Sequence, residues 1–331
     1  MKVLITGASG FIGGRLALSL SENADYQVSV TGRSSALSEK FLASKVNVIQ
    51  GDLLDMAVVE KAIKSIDIVI HCAGLAGTWG TYDDFYQANV AVTANLIKAA
   101  QASQVKRIIN ISSPSIYVNF SNQLLIKESY LPETFSNFYA QTKFEADQLM
   151  NNAHSDALQT ISLRPRLVIG KGDTTLLPRL LALQSAGLLK QIGSGQNVVD
   201  FTSIDNLIEL IEHCFTVPNS AMGRAYNVSN GQADKLWDVI DEVCRQMNIP
   251  IKRQKVPYRP VMALAKLNEK IYNLFKLNSE PKLLPVPVSV MANSMTLNID
   301  DAREFLSYSP KITTKHSISE FVAWWKENNN L

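Results

Sequence analysis

The chain opens Lys2-Val3-Leu4-Ile5-Thr6-Gly7-Ala8-Ser9-Gly10-Phe11-Ile12-Gly13, and Leu16, Leu18 and Leu20 follow. An apolar run with β-branched residues, closed by glycine, reads as a buried strand, and the leucines beyond Gly13 read as a helix. A strand, a glycine turn and a helix start aim backbone N–H groups and the positive helix end at a pyrophosphate, while the glycines let that backbone come close. Gly7, Ser9, Gly10, Phe11, Ile12 and Gly13 are therefore the expected cofactor turn.

Further strands are expected at 28–31, 46–49, 67–72, 107–111 and 160–163, alternating with helical stretches. That alternation predicts an α/β fold, a Rossmann-type doubly wound parallel sheet. Past Gly170 it becomes irregular, so residues 1–169 are expected to form the dinucleotide-binding domain and 170–331 a smaller, mixed substrate lobe, with some interleaving between them. The second lobe should contain helices at 176–186, from 204 and at 236–247, and strands at 198–201 and 224–228. Two short helices joined through Pro310 should close it.

Strand 28–31 ends in Gly32-Arg33-Ser34. An acidic residue near this point would accept from a ribose 2′-hydroxyl, whereas glycine followed by Arg33 suits a 2′-phosphate, so NADP(H) is favoured over NAD(H). Asp52, with Leu53 beside it, either meets the adenine amino group or caps the next helix. Ala73 and Gly74 are small enough to pass close to the cofactor. His71 sits in an apolar strand and reads as a packed core residue; His154, His213 and His316 lack metal-ligand spacing, and no metal site is expected.

Chemistry enters with Tyr139-Ala-Gln-Thr-Lys143, at the head of a helical run. Residues four apart share a helix face, so a phenol stands beside an ammonium, and that charge is expected to lower the phenol's pKa towards the range of acid-base work. Strand 107–111 ends in Ser112-Ser113-Pro114-Ser115-Ile116-Tyr117, from which a hydroxyl can donate to a substrate carbonyl beside Tyr139. The loop Leu75-Ala-Gly-Thr78-Trp79-Gly80-Thr-Tyr82 lies where open α/β sheets bind substrates, and Thr78, Trp79 and Tyr117 are the expected substrate contacts. Asn89, inside a helix expected at 82–103, fits a solvated amide and a role near the site equally well.

Composition narrows the function from another side. The 331 residues are 46% hydrophobic and 19% charged, as in an ordinary globular protein. Thirty-two Lys and Arg against thirty Asp and Glu leave a net charge of +2, too small an excess for a nucleic-acid binder. Cys72, Cys214 and Cys244 are odd in number and widely spaced, which argues against disulfides and zinc and for a reducing compartment. Glycines interrupt the one N-terminal apolar run and no stretch approaches a membrane span, so a cytoplasmic protein is expected.

Between Pro250 and Lys282 eight Lys or Arg face two Glu. Val261, Leu264, Leu267, Ile271, Leu274 and Phe275 recur at helical spacing there, with Lys266, Lys270 and Lys276 between them. This basic amphipathic helix, 258–277, suits a membrane surface, a partner enzyme, the roof of a greasy channel or plain packing on the smaller lobe.

Taken together, the glycine turn, the Ser-Ser turn and Tyr139/Lys143 make the chain resemble the extended short-chain dehydrogenase/reductase family along essentially its whole length. The runs around Trp79, Ser113 and Arg164-Pro-Arg-Leu-Val-Ile-Gly are similar to its 3β-hydroxysteroid dehydrogenase-like branch, especially the bacterial 2-alkyl-3-oxoalkanoate reductases of olefin biosynthesis. The resemblance implies that Ser113 polarises the substrate oxygen, Tyr139 is the acid/base and Lys143 its partner, that Pro165 lies by the nicotinamide, and that Tyr139, Lys143 and Val168 also contact the cofactor. It further implies NADPH-dependent reduction of a hydrophobic, long-chain 3-oxo acid by a homodimer. Steroid dehydrogenase, epimerase or dehydratase activity is the alternative, and an NADP-binding sensor or scaffold is the non-enzymatic one. Val118, where many nucleotide-sugar epimerases carry glycine, weakens the epimerase reading.

Overall fold

A computed structural model describes residues 1–251, 253–275, 277 and 279–329. Seven parallel strands form the main sheet: β1 (Lys2–Thr6), β2 (Gln27–Gly32), β3 (Asn47–Gln50), β4 (Ile68–His71), β5 (Arg107–Ile111), β6 (Gln159–Pro165) and β7 (Ala225–Val228). Their spatial order is β7-β6-β5-β4-β1-β2-β3, every neighbouring pair parallel. The order reverses between β1 and β4, and it is outside the carboxyl ends at such a switch point that open α/β sheets bind ligands. The turns after these two strands are the glycine turn and Cys72–Gly74.

Alternating side chains explain why the strands read as continuous apolar runs. Val3 and Ile5 of β1 enter one core with Leu16, Leu20, Ile208 and Ile211, while Leu4 enters the other with Val59, Leu96, Ile108 and Met150. A parallel sheet is covered by helices on both faces, so both sides of β1 are apolar over Val3–Ile5.

A second, mixed sheet has the order Ala233–Lys235, Val198–Asp200, Met295–Leu297, Gln123–Ile126. Val198–Asp200 runs antiparallel to one neighbour and parallel to the other. The expected strand at 224–228 is present, but as β7 of the main sheet rather than as part of the smaller lobe, and Gln123–Ile126 of the first half joins the small sheet. Strand partners are chosen by tertiary packing, which local pattern does not encode. The stretch expected as one helix over 82–103 is the helix Tyr82–Tyr86, a π turn Gln87–Ala91 and the helix Val92–Gln101. The last helix, Thr314–Asn329, is longer than the short one expected.

The helix Phe138–Ala153 carries Tyr139 and Lys143. Asn137 caps it, its side-chain oxygen accepting from the Ala140 N–H at 2.8 Å. Its buried stripe is Ala140, Lys143, Ala146, Asp147, Met150 and Ala153, so small residues let it lie close to the sheet while two charged ones point inward.

Candidate active site

At the switch point lies a cleft of about 540 Å³. Gly7, Ser9, Gly10, Thr31, Arg33, Asp52, Leu53, Ala73, Gly74 and Trp79 are among its lining residues. Gly7 has φ +68°, and its N–H donates to the Thr31 carbonyl at 3.1 Å. A Cβ on Gly7 would stand 2.6 Å from the Ala73 nitrogen, and one on Gly13 2.8 Å from the Gly7 oxygen. Gly10 is the N-cap of the helix Phe11–Ser21 and no side chain caps it, which leaves first-turn N–H groups for an anion. These features fit a dinucleotide. The Phe11 side chain is buried in the core and Ile12 packs against it, so any cofactor contact there is through backbone.

Gly7→Ala combines a left-handed backbone with a collision against backbone atoms. A cost of about 1–3 kcal/mol is expected from the conformation alone, read as a lower denaturation midpoint together with weakened cofactor binding by fluorescence titration.

Arg33 and Asp52 face each other at one end of the cleft, with Arg33 Nη1 3.9 Å from Asp52 Oδ2 and the Arg33 side chain 75% exposed. Asp52 accepts from the Leu54 N–H in a turn; the cap of the following helix, Met56–Ile63, is Asp55. Of the two roles open to Asp52, the helix cap therefore falls away. Pro165 is buried at the end of β6, and Val168 pairs with Thr202 in a separate two-stranded ladder; the lining residues of the cleft do not include them.

Tyr139 and Lys143 do share a helix face, and Ser113 ends the turn after β5, where its Oγ accepts from the Ser115 N–H at 3.2 Å. The hydroxyls of Ser113 and Ser115 stand by the Tyr139 phenol and draw its pKa down, but burial, the larger effect, raises it, and Asp147 raises it further. The expected lowering by Lys143 is thus reversed in the free protein: desolvation of the phenolate outweighs the neighbouring dipoles. Lys143 itself is buried, its Nζ donating to the Ile111 carbonyl at 2.8 Å, and burial lowers its pKa while Asp147 and Cys72 raise it. Ser115 was not singled out in the sequence. Its Oγ is buried with no fully formed hydrogen bond, an orphan hydroxyl beside the Tyr139 phenol. Its place two residues after Ser113 was the available signal.

Asn89 is not a solvated amide. Buried in the π turn, its Oδ1 accepts from the Leu75 N–H at 2.7 Å, and its Nδ2 donates to the Leu75 carbonyl at 3.2 Å and to Thr142 Oγ1 at 3.0 Å. One amide thus ties the cleft loop to the helix that carries Tyr139 and Lys143. That loop then wraps over Phe85, whose ring centroid is 6.2 Å from that of Tyr139. Trp79 lines the cleft and meets the Tyr272 ring edge-on at 5.9 Å, while Thr78 donates to Glu280 at 3.0 Å.

Tyr117 is not a substrate contact. It is fully buried, its hydroxyl donating to Asn227 Oδ1 at 2.9 Å and accepting from Arg164. Arg164 pairs in turn with Asp147 at 2.9 Å, and Asp147 accepts from Asn110 at 3.1 Å. This chain of buried polar groups runs beneath Lys143 and joins the two sheets through Asn227, whose Nδ2 donates to the Ile126 carbonyl at 2.9 Å. His71 packs likewise, between Thr6 at 2.8 Å and Thr93 at 3.0 Å, its pKa pushed down to about 3 by burial and then by Lys143. Among the described residues there is no metal-ligating cluster.

A Rossmann-type sheet with a glycine-lined dinucleotide cleft, and a serine, tyrosine and lysine gathered at its strand ends, defines an NAD(P)-dependent enzyme that acts on alcohol and carbonyl groups. The chain belongs to the NAD dependent epimerase/dehydratase family, which it matches over residues 3–229. It is 31% identical over 329 residues to a 2-alkyl-3-oxoalkanoate reductase of Stenotrophomonas maltophilia, covering 98% of this chain and 99% of that one. A protein of the same name from Shewanella oneidensis is 29% identical, with 96% and 85% covered. Among solved structures, UDP-glucuronic acid 4-epimerase from Bacillus cereus in complex with NAD shares the fold, with TM-score 0.78, 21% identity, and 99% and 97% of the two chains covered.

Proposed function

We propose that this chain reduces a ketone to a secondary alcohol with NADPH, and that its substrate is a long-chain 2-alkyl-3-oxo acid. The observation that carries the reading is the half-buried Tyr139 phenol, its pKa raised by desolvation so that it keeps its proton, flanked by Ser113 and Ser115 at the strand ends beside the glycine-lined cleft. The two reductases matched over nearly the whole chain supply the substrate class. The same reading takes the enzyme to be cytosolic and homodimeric.

When bound, the reduced nicotinamide supplies the hydride. Ser113 and Ser115 hold the substrate oxygen by donating to it, and Tyr139 delivers its proton there as negative charge develops. Tyr139 is the second residue of its helix, where the positive end of the macrodipole stabilises the phenolate left behind. Lys143 adds its charge from one turn further on, held in place by the Ile111 carbonyl.

Arg33 is the residue proposed to choose NADPH. Arg33→Ala should weaken NADPH binding by about 10- to 100-fold, the worth of one charge-assisted bond of about 1.5–3 kcal/mol, and leave NADH binding nearly unchanged. Equal losses for both cofactors would remove Arg33 from that role. The reading as a whole is tested by NADPH consumption with a long-chain 2-alkyl-3-oxo acid, a 3-oxosteroid and a UDP-sugar in parallel. Turnover of the first is expected; turnover of the steroid alone, or conversion of the sugar without net consumption, would replace it.

A further inference from the structure

The helix Tyr258–Leu274 is apolar on two sides. One side, centred on the buried Met262 and Ala265, packs with Val288 of the helix Pro285–Ala292. The other is a row of Leu264, Leu267, Ile271 and Leu274 continued by Phe275, and these are 58%, 55%, 40%, 77% and 68% exposed. Steps of three and four residues place the row along one line, turned away from the packed side. Single exposed apolar side chains are ordinary, whereas five in a contiguous row mark a surface that is covered in use.

Charge indicates what covers it. Arg259 and Lys270 are exposed and fall on the strip between the two apolar sides, at one border of the row, while Lys266 beside them lays its ammonium over the Phe120 ring at 5.7 Å. Glu269, the acidic residue of this helix, is half-buried towards the packed side. Long basic stems beside an apolar row can keep their charges among lipid phosphates while the row sinks below them. A second copy laid antiparallel against the row would bring like charges together instead. No helix among the described residues is long and apolar enough to cross a membrane, so the geometry is that of a helix lying in the interface plane. Lys276 lies outside the described residues.

We propose that the exposed row of residues 264–275 docks on a bilayer containing anionic lipid, with Arg259 and Lys270 on its headgroups. The contact of Tyr272 with Trp79 then sets the cleft loop next to the lipid surface, where an apolar substrate dissolves. This surface is independent of the particular ketone assigned to the active site.

Flotation of the full-length protein with vesicles of phosphatidylcholine plus phosphatidylglycerol tests it against vesicles of phosphatidylcholine alone. Two cations near an anionic surface predict binding about 30-fold tighter to the mixed vesicles. L267Q/I271Q should lose at least about 10-fold in vesicle binding. Unchanged NADPH affinity and unfolding midpoint would show that this variant is folded. Wild-type protein that stays unbound, a folded variant that floats as well as wild type, or equal binding to both vesicle types would overturn the proposal. So would a self-association, seen by sedimentation velocity, that the variant abolishes, because a second copy would then be what covers the row.

Discussion

Tyr139→Phe is expected to lower the turnover of ketone reduction by about 10²- to 10⁴-fold, the usual worth of a positioned general acid, with NADPH affinity held within about twofold because the ring and its packing against Phe85 remain. The loss should appear in kcat, since the proton is needed only as charge builds on the substrate oxygen. The pH profile carries a second check. Burial raises the Tyr139 pKa, so the acid form is present throughout the neutral range, and the reduction rate should be flat there and decline only under alkaline conditions, as the phenol loses its proton. In the reverse direction the base form is required, so alcohol oxidation should rise over the same alkaline range. A Phe variant that retains near-wild-type turnover would assign the proton to another group.

Arg164→Met is expected to destabilise the protein by about 3–5 kcal/mol, the cost of leaving a buried carboxylate without its partner. Asp147 and Arg164 are almost wholly buried, and Arg164 also donates to Tyr117 and to the Glu128 carbonyl. A double variant, Asp147→Leu with Arg164→Met, should recover much of that loss, because neither member of the pair is left facing an empty place. Activity should not follow stability. With Asp147 removed, the charge that holds up the Lys143 pKa against burial is gone, so the double variant should fold yet turn over more slowly. Equal stability of single and double variants by urea denaturation would show that the pair's charges are not what holds this region.

Whatever depends on near neighbours was legible in the amino-acid order. The glycine turn follows from three glycines between a strand and a helix, and the Tyr139/Lys143 face from a spacing of four. What depends on distant partners was not. Nothing around Ala225–Val228 says that it completes the main sheet, because that choice rests on its pairing with β6, about sixty residues upstream. Tyr117 looked like a pocket residue because it ends a catalytic turn, yet Asn227 and Arg164 hold it in the core. The pKa of Tyr139 went the opposite way because a helical repeat reports a neighbouring charge and not the depth at which the phenol lies. Asp147 was within reach of the sequence, standing one turn beyond Lys143, but its weight depends on an arginine from the adjacent strand.

The central claim is that this cleft delivers a hydride to a ketone while Tyr139 delivers the proton. Its most direct measurement is a reduction with NADPH deuterated at the transferring position of the nicotinamide, using a long-chain 2-alkyl-3-oxo acid and mass analysis of the product. The account predicts one deuterium on the carbinol carbon for each NADPH consumed, in wild type and, far more slowly, in Tyr139→Phe. Product without deuterium, or cofactor left unconsumed while the substrate is converted, would contradict it.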